Sequence, residues 1–429
     1  MNYKIENGVL VFPKDDNFEV LKQDFSVING DIKFQTDIKC DKIIDAAGRV
    51  ILPGLVNAHN HIYSALSKGI PVKDSFGDFS GILKNLWWKL DSVLSKKEVK
   101  LSTIISIKEA FENGVTTMFD HHISMEFIEN SLQTMANLFD EFDMKGGLAF
   151  ETTNRYGKDN FEKIVNENIS FFKKNGNIKA FFGMHALLTL DYENLKYISQ
   201  KIPDDMPIHI HIAECEADEI AAKEKYGKSI IEILDDFSLL KDDSILVHNS
   251  NISQREIDIL KDKKVFLVQA INSNMNNAQN AANIHNLINN GLKVTVGSDG
   301  MTSNILRLFK DSFLFTKYQN QNPDIGFDEM KKMLLTSFEI KEVFGFSMGL
   351  NQDEPADFVI TNYAPYTPFT KNNFIGHFIY GITESTAKHV FSNGKLVLDN
   401  ENLTNPKLQE IIDKSSEISQ ELFEKFANI

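Results

Sequence analysis

Only two cysteines, Cys40 and Cys215, occur in 429 residues, too few for a disulfide framework and in keeping with a reducing compartment. No run of about eighteen apolar residues occurs, so no membrane-spanning helix is expected. Residues 1–11 mix Lys4 and Glu6 among apolar residues and lack the uninterrupted apolar core of a secretory signal. A cytoplasmic protein is expected. Positive charge is also short: 45 Lys and Arg against 60 Asp and Glu leave a net charge of −15, which disfavours nucleic acid and anionic membranes as partners. Arginine is confined to Arg49, Arg155, Arg255 and Arg307. Internal repeats, low-complexity tracts and long linkers are missing as well.

What is present is ordinary for a globular protein, with 42% hydrophobic and 24% charged residues. Eight short β-branched or aromatic runs end in polar residues: 55–62, 114–122, 145–153, 178–187, 207–214, 244–249, 264–273 and 293–299. Amphipathic stretches such as 102–113, 229–234 and 254–260 lie between them, with apolar residues at three- and four-residue spacing. Strands alternating with helices imply a parallel sheet. No Gly-rich phosphate fingerprint follows the first strand, so a closed (β/α)8 barrel over residues 51–353 is preferred to an open sheet. Residues 1–50 and 354–404 carry further strand signals, with Asn393-Gly394 as a hairpin turn, and are expected to pair into a small β-sandwich. Residues 3–12 and 26–34 each read as one strand of it. A terminal amphipathic helix is expected over 405–429, with Pro406 in its first turn.

Chemically capable side chains gather at the ends of the predicted strands. The first ends in His59 and His61, the second in Asp120, His121 and His122, the third in Glu151 and the fourth in His185. The fifth carries His211 and Glu214, the sixth His248, the seventh Gln269 and Asn274, and the eighth Asp299. In a barrel that end carries the active site, so these placements point to one site. Of the 11 histidines, eight, with His209 among them, belong to these strands, and only His285, His377 and His389 lie elsewhere.

Each motif has a chemical reading. In His59-Asn60-His61 the two-residue strand period points both imidazoles to one face, where they suit a zinc-like cation. His211 projects inward, and Glu214 on the loop above it can move a proton from water to a leaving nitrogen. His209 lies one layer deeper and reads as a buried core histidine; Cys215 has no base assigned to it. Asp299 offers an oxygen ligand or a base, and His248 can polarise water or a carbonyl-like oxygen. Trp87 and Trp88 lie at helical spacing with Leu83, Leu86 and Leu90, which suits helix packing or stacking on a planar substrate. His121, His122 and Glu151 either hold ligands in place or are satisfied groups at the barrel rim. Gln269 either faces the pocket or caps a barrel strand.

The segment 52–61 (LPGLVNAHNH), the run His211-Ile-Ala-Glu214, His248 and Ser298-Asp299-Gly300 resemble the signature of the amidohydrolase superfamily, in its aminohydrolase and chlorohydrolase branch. Within that branch, 84–91 (KNLWWKLD), Asp120-His121-His122, 150–153 (FETT) and 273–277 (SNMNN) are similar to the SsnA-type aminohydrolases. The resemblance spans essentially the whole chain. It implies one zinc or iron ion held by His59, His61, His211 and Asp299, with Glu214 as proton shuttle and His248 orienting water. It also implies hydrolytic deamination of an aminated, purine-like nitrogen heterocycle, in a homodimer. His185, Gln269 and Trp87 are the candidate substrate contacts. The bridging lysine of two-metal members is missing, since the fourth strand ends Gly183-Met184-His185 and Lys179 lies at its other end. The chain departs from the resembled pattern at 269–272 (QAIN), where His-Asn is usual. A ring-opening amidase or chlorohydrolase using the same metal, and a non-catalytic metal-binding protein, are the alternatives.

Overall fold

The computed structural model describes residues 1–429 apart from Thr36, Asn175 and Lys414. Eight parallel strands carry the main unit: β1 (Leu55–Asn60), β2 (Val115–His122), β3 (Lys145–Phe150), β4 (Phe182–Met184), β5 (Ile208–Ile212), β6 (Ile245–His248), β7 (Phe266–Gln269) and β8 (Lys293–Val296). They pair in sequence order as two arcs, β1 to β3 and β4 to β8. Parallel bridges at both seams, Thr152 with Met184 and Asn60 with Asp299, join the arcs into a ring. The strands are shorter than the sequence runs suggest. The run 178–187 is divided because Lys179–Ala180 pairs with β3 while Phe182–Met184 pairs with β5. The run 264–273 stops at Gln269, and a helix Ile271–Asn276 begins at once.

Alternation along the strands divides the apolar residues into two sets. Val56, Ala58, Phe119, Phe181, Val247 and Val268 are among those filling the barrel interior, with Phe344 and Phe346 packed against them. Residues of opposite parity, such as Leu148, Ile210, Leu246 and Leu267, face the surrounding helices. The barrel is therefore a packed core rather than a pore, and only the rim above the apolar plug is free for chemistry. Side-chain caps start several of the helices: Ser253 and Glu256, like Asp191 and Asn194, form reciprocal capping boxes.

Two further sheets come from the flanks. A seven-stranded sheet runs from Asn402–Leu403 through Phe358–Thr361 and Val50–Pro53 to Asn17–Lys22, and a four-stranded sheet is centred on Phe25–Ile28 and Tyr3–Glu6. Ile5, Phe25, Val27, Ile51, Phe358 and Phe391 belong to one buried cluster shared by the two sheets. The single strands expected over 3–12 and 26–34 are each two. Asn7 at φ 57° breaks the first, and Asn29 at φ 53° with Gly30 at φ 96° folds the second into a hairpin. Asn393 and Gly394 form the expected hairpin turn, at φ 48° and 79°. The expected terminal helix is described over Pro406–Asp413 and Ser415–Ala427, and Lys414 between them lies outside the described residues. No helix of the described residues is long and apolar enough to cross a membrane.

Candidate active site

The two histidines of β1 reach the interior through a register shift. Val56 and Ala58 already point inward, so plain alternation would send 59 and 61 outward. Asn57 pairs with Met118 and Asn60 with Asp120, so one extra residue is taken up between them, and this bulge turns His59 and His61 back toward the axis. His211 needs no such device, because β5 exposes Ile208, Ile210 and Ile212 to the helices and His209 and His211 to the interior. At the strand ends, Ala213, His248, Asn249 and Asp299 adopt left-handed backbone at φ 48°, 69°, 55° and 52°. In His248 this redirects a side chain whose neighbours Ile245 and Val247 already occupy the interior parity. Such conformations cost energy and persist where the surroundings enforce them.

The candidate ligand atoms fall in two groups that share His59, one with His61 and Asp299 and the other with His121 and His211. His61 Nε2 lies 3.2 Å from Asp299 Oδ1, His59 Nε2 lies 3.9 Å from the same oxygen, and His211 Nε2 lies 3.4 Å from His59 Nε2. Bonds of about 2.1 Å in a tetrahedron place neighbouring ligand atoms about 3.4 Å apart, so the spacing suits a divalent metal ion. Proton positions agree. His61 Nδ1 donates to the His121 carbonyl at 2.7 Å, which leaves Nε2 of the neutral ring as a lone-pair donor. His59 Nδ1 is held 2.9 Å from His209 Nε2, below the ligand layer. Burial, followed by the neighbouring imidazoles, lowers the His59 and His211 pKa values well below the ordinary range, which keeps both rings neutral and able to ligate. Burial also opposes ionisation of Asp299, but His61, His248, the Ser273 side chain and the Gly300 amide together hold its pKa low.

A second cluster overlaps the first. His248 Nε2 lies 3.6 Å from Glu214 Oε2 and 3.8 Å from Asp299 Oδ2 and has no hydrogen bond of its own. Burial, then Asp299 and Asp218, raise the Glu214 pKa well above the carboxylate range, with a hydrogen bond from Asn277 opposing them. The segment 273–277 positions all three groups: Ser273 bonds Asp299, Asn277 bonds Glu214, and Asn274 Oδ1 accepts from His248 Nδ1 at 3.2 Å. Asn274 Nδ2 donates to Ser250 Oγ and the Asn280 carbonyl, so its oxygen is committed to His248. The sequence offers Asn274 as a strand-end residue, Ser273 and Asn277 only through the family resemblance, and His209 as a core residue. Four amides or hydroxyls in five residues shortly after a barrel strand are the available signal.

The pocket above the ligands is lined by His61, Trp87, Glu151, His185, Glu214 and Asp299, among others. Trp87 contributes from a π-helical turn, Leu83–Trp87. Glu151 Oε1 lies 3.3 Å from His61 Nδ1 and 3.7 Å from His121 Nδ1, and its Oε2 lies 3.9 Å from His185 Nε2. His121 faces the interior, its ring stacked on His209 at 4.7 Å. Asp120, His122 and Gln269 correct the expectation that every polar strand end shares the site. Asp120 accepts from the Ile62 amide at 2.6 Å; His122 bonds Ser124 Oγ at 2.9 Å and packs on Phe150. Gln269 shares the parity of Leu267 and pairs with Val296, both on the helix-facing side, and does not line the pocket. Its buried Nε2 has no partner. Gln269→Leu should therefore leave kcat/KM within about twofold and leave stability unchanged or raised, because an unsatisfied buried amide is removed. A drop in kcat/KM beyond tenfold at unchanged Tm would return Gln269 to the pocket.

Residues 50–397 match the Amidohydrolase family, and the chain belongs to that family of hydrolases acting on carbon–nitrogen bonds. Similar proteins include a 5-methylthioadenosine/S-adenosylhomocysteine deaminase of Thermococcus sibiricus, 26% identical over 413 residues that span 93% of this chain and 94% of that protein. A 5'-deoxyadenosine deaminase of Methanobrevibacter smithii is 26% identical over 444 residues, 98% of each chain. The crystal structure of an adenosine deaminase from Xanthomonas campestris with bound zinc shares the fold, with a TM-score of 0.82 at 18% identity, over 100% of this chain and 99% of that one.

Proposed function

We propose that this chain is a metal-dependent deaminase that replaces the exocyclic amine of a small, purine-like nitrogen heterocycle by oxygen and releases ammonia. The observation that carries the reading is the half-buried Glu214 carboxyl, beside the unpartnered His248 Nε2 and next to the candidate ligand cluster. His59, His61, His211 and Asp299 hold one ion, zinc by preference for this nitrogen and oxygen set. The ion supplies Lewis-acid activation of water. Glu214 takes a proton from the attacking water and returns it to the departing nitrogen, so the net change is amine plus water to carbonyl plus ammonia. His248 accepts a hydrogen bond through Nε2, because Asn274 keeps its proton on Nδ1. His209 positions His59, and residues 51–353 form the catalytic unit.

A purely structural metal site would need neither Glu214 nor the Asn274-aligned His248, which argues against a protein that only binds metal. Elemental analysis of purified protein is expected to give one equivalent of divalent metal per chain. Incubation with aminated purines, their nucleosides and 5'-deoxynucleosides should release ammonia stoichiometrically with loss of the amine. Two equivalents, both needed for activity, would overturn the one-metal site, and no ammonia from any aminated heterocycle would overturn the deaminase.

A further inference from the structure

Two arms of the pocket end on one buried carboxyl. Glu214 follows the bend of the chain at Ala213, and His185 heads the short turn Leu187–Thr189 that follows β4. Both side chains line the pocket. Asp218, 1% exposed, lies behind them in the first turn of the helix Glu216–Tyr226, an end that suits a carboxylate. Its Oδ2 accepts from the Ala213 amide at 3.1 Å and its Oδ1 accepts from the Leu188 amide at 3.2 Å.

The first bond bears on the proton shuttle. Ala213 holds left-handed backbone at φ 48°, which is unfavourable for a residue with a β-carbon and persists only where the surroundings enforce it. Glu214 is the next residue, so the direction in which the chain delivers its carboxyl toward His248, 3.6 Å away, is set at Ala213. The charge-assisted bond to the Ala213 amide holds that peptide in place.

The second bond bears on the opposite arm. The Thr189 hydroxyl donates to the Ala186 carbonyl at 2.9 Å, so its oxygen is left to accept from His185 Nδ1 at 3.3 Å. That keeps the His185 proton on Nδ1 and leaves Nε2 as an acceptor. The helix grips the same turn again through Lys225 Nζ, which donates to the Leu188 and Leu190 carbonyls at 3.0 and 3.3 Å. Among the described residues, backbone amides alone donate to Asp218. A carboxylate suits this place because it offers two acceptors on a short stem and no donor. Asparagine would satisfy one amide and turn its own N–H toward the other.

We propose that Asp218 is a positioning residue for this reaction: through the Ala213 amide it fixes the proton-transfer arm at Glu214, and through the Leu188 amide it fixes the His185 arm against it. The proposal rests on the deaminase reading for what the two arms do.

Asp218→Asn, compared with the zinc-loaded parent, tests the clamp by two measurements. Hydrogen exchange read by mass spectrometry needs no substrate. Exchange should quicken at least tenfold in residues 211–215 or 186–190 and stay unchanged in residues 266–269, with the zinc retained. On the aminated purine that the parent deaminates fastest, kcat should fall roughly tenfold to a hundredfold, the scale on which a misplacement of about 1 Å slows an enzyme, and KM should rise at least threefold. In the Glu214→Gln background the same substitution should lower kcat less than threefold while the rise in KM persists, because the first effect runs through Glu214 and the second through His185. A side chain that only stabilised the fold would lower kcat alike in both backgrounds. Exchange unchanged in both segments, kcat within threefold of the parent, or equal kcat losses in the two backgrounds would each overturn the proposal. If Asp218→Asn does not fold, exchange in the native protein decides: the Ala213 and Leu188 amides should exchange at least a thousandfold more slowly than free amides, and weaker protection would overturn the clamp. If the parent releases no ammonia while the two segments loosen as expected, the deaminase reading fails and the clamp on both arms stands.

Discussion

Glu214→Gln is expected to retain a full equivalent of metal while kcat falls by about a hundredfold or more, the loss typical of removing a general acid–base group. Glu214 stands outside the His59, His61 and Asp299 group, in an adjoining one with His248 and Asp299, so the proposed ligand set is intact in the variant. Glutamine keeps the size of the side chain and can still bond Asn277, while it cannot accept and return a proton. The amide matches the carboxyl in size and keeps a hydrogen bond with Asn277, so the substitution should not destabilise the fold. KM should change far less than kcat, because the interaction lost belongs to the transition state rather than to substrate binding. Near-normal turnover on a confirmed substrate would require another base. Loss of the metal along with activity would instead make Glu214 a ligand.

The candidate ligands were legible because metal chemistry favours His and carboxylate at strand ends, a pattern visible without coordinates. Their orientation was legible only in part. Strand alternation predicted the inward face of His211 correctly, since β5 is regular. For His59 and His61 the shared face was right for an incomplete reason: the bulge after Asn57, which no local residue pattern announces, sets which face it is. Alternation also decides against Gln269 and His122, and it could have been applied to them. Each shares parity with an outward neighbour, Leu267 and Asp120 respectively, which favours the structural alternative for both, since nearness to the strand end is not sufficient. His209 and Asn274 act through a second imidazole, a partnership between residues far apart in sequence that depends on how the strands close. Asp218 escaped because its partners are backbone amides, which no residue pattern shows, and one of them, at Leu188, lies 30 residues away. The added turns in the flanking sheets, at Asn7 and Asn29-Gly30, used the same chemistry as Asn393-Gly394 and were readable in principle.

Asp299→Asn should be the most damaging conservative change in the site, with metal occupancy reduced and turnover lowered by about three orders of magnitude or more. Asp299 is the carboxylate in the group formed with His59 and His61, and its second oxygen also stands 3.8 Å from His248 Nε2. On the proposed roles, one substitution therefore removes a charged ligand and the carboxylate beside His248. Asparagine is the right probe because Asp299 sits at φ 52°, a left-handed conformation that Asn tolerates and most residues do not. Alanine would add backbone strain to the chemical loss and blur the cause. The Asn amide can keep the bond to the Gly300 amide through its oxygen, so Tm of the metal-free protein should fall little. Tm of the metal-loaded protein should fall more, because a weaker site returns less stabilisation at a given metal concentration. Full metal content with turnover within tenfold of the parent would remove Asp299 from both roles. Turnover lost at full metal content would leave it the role toward His248 alone.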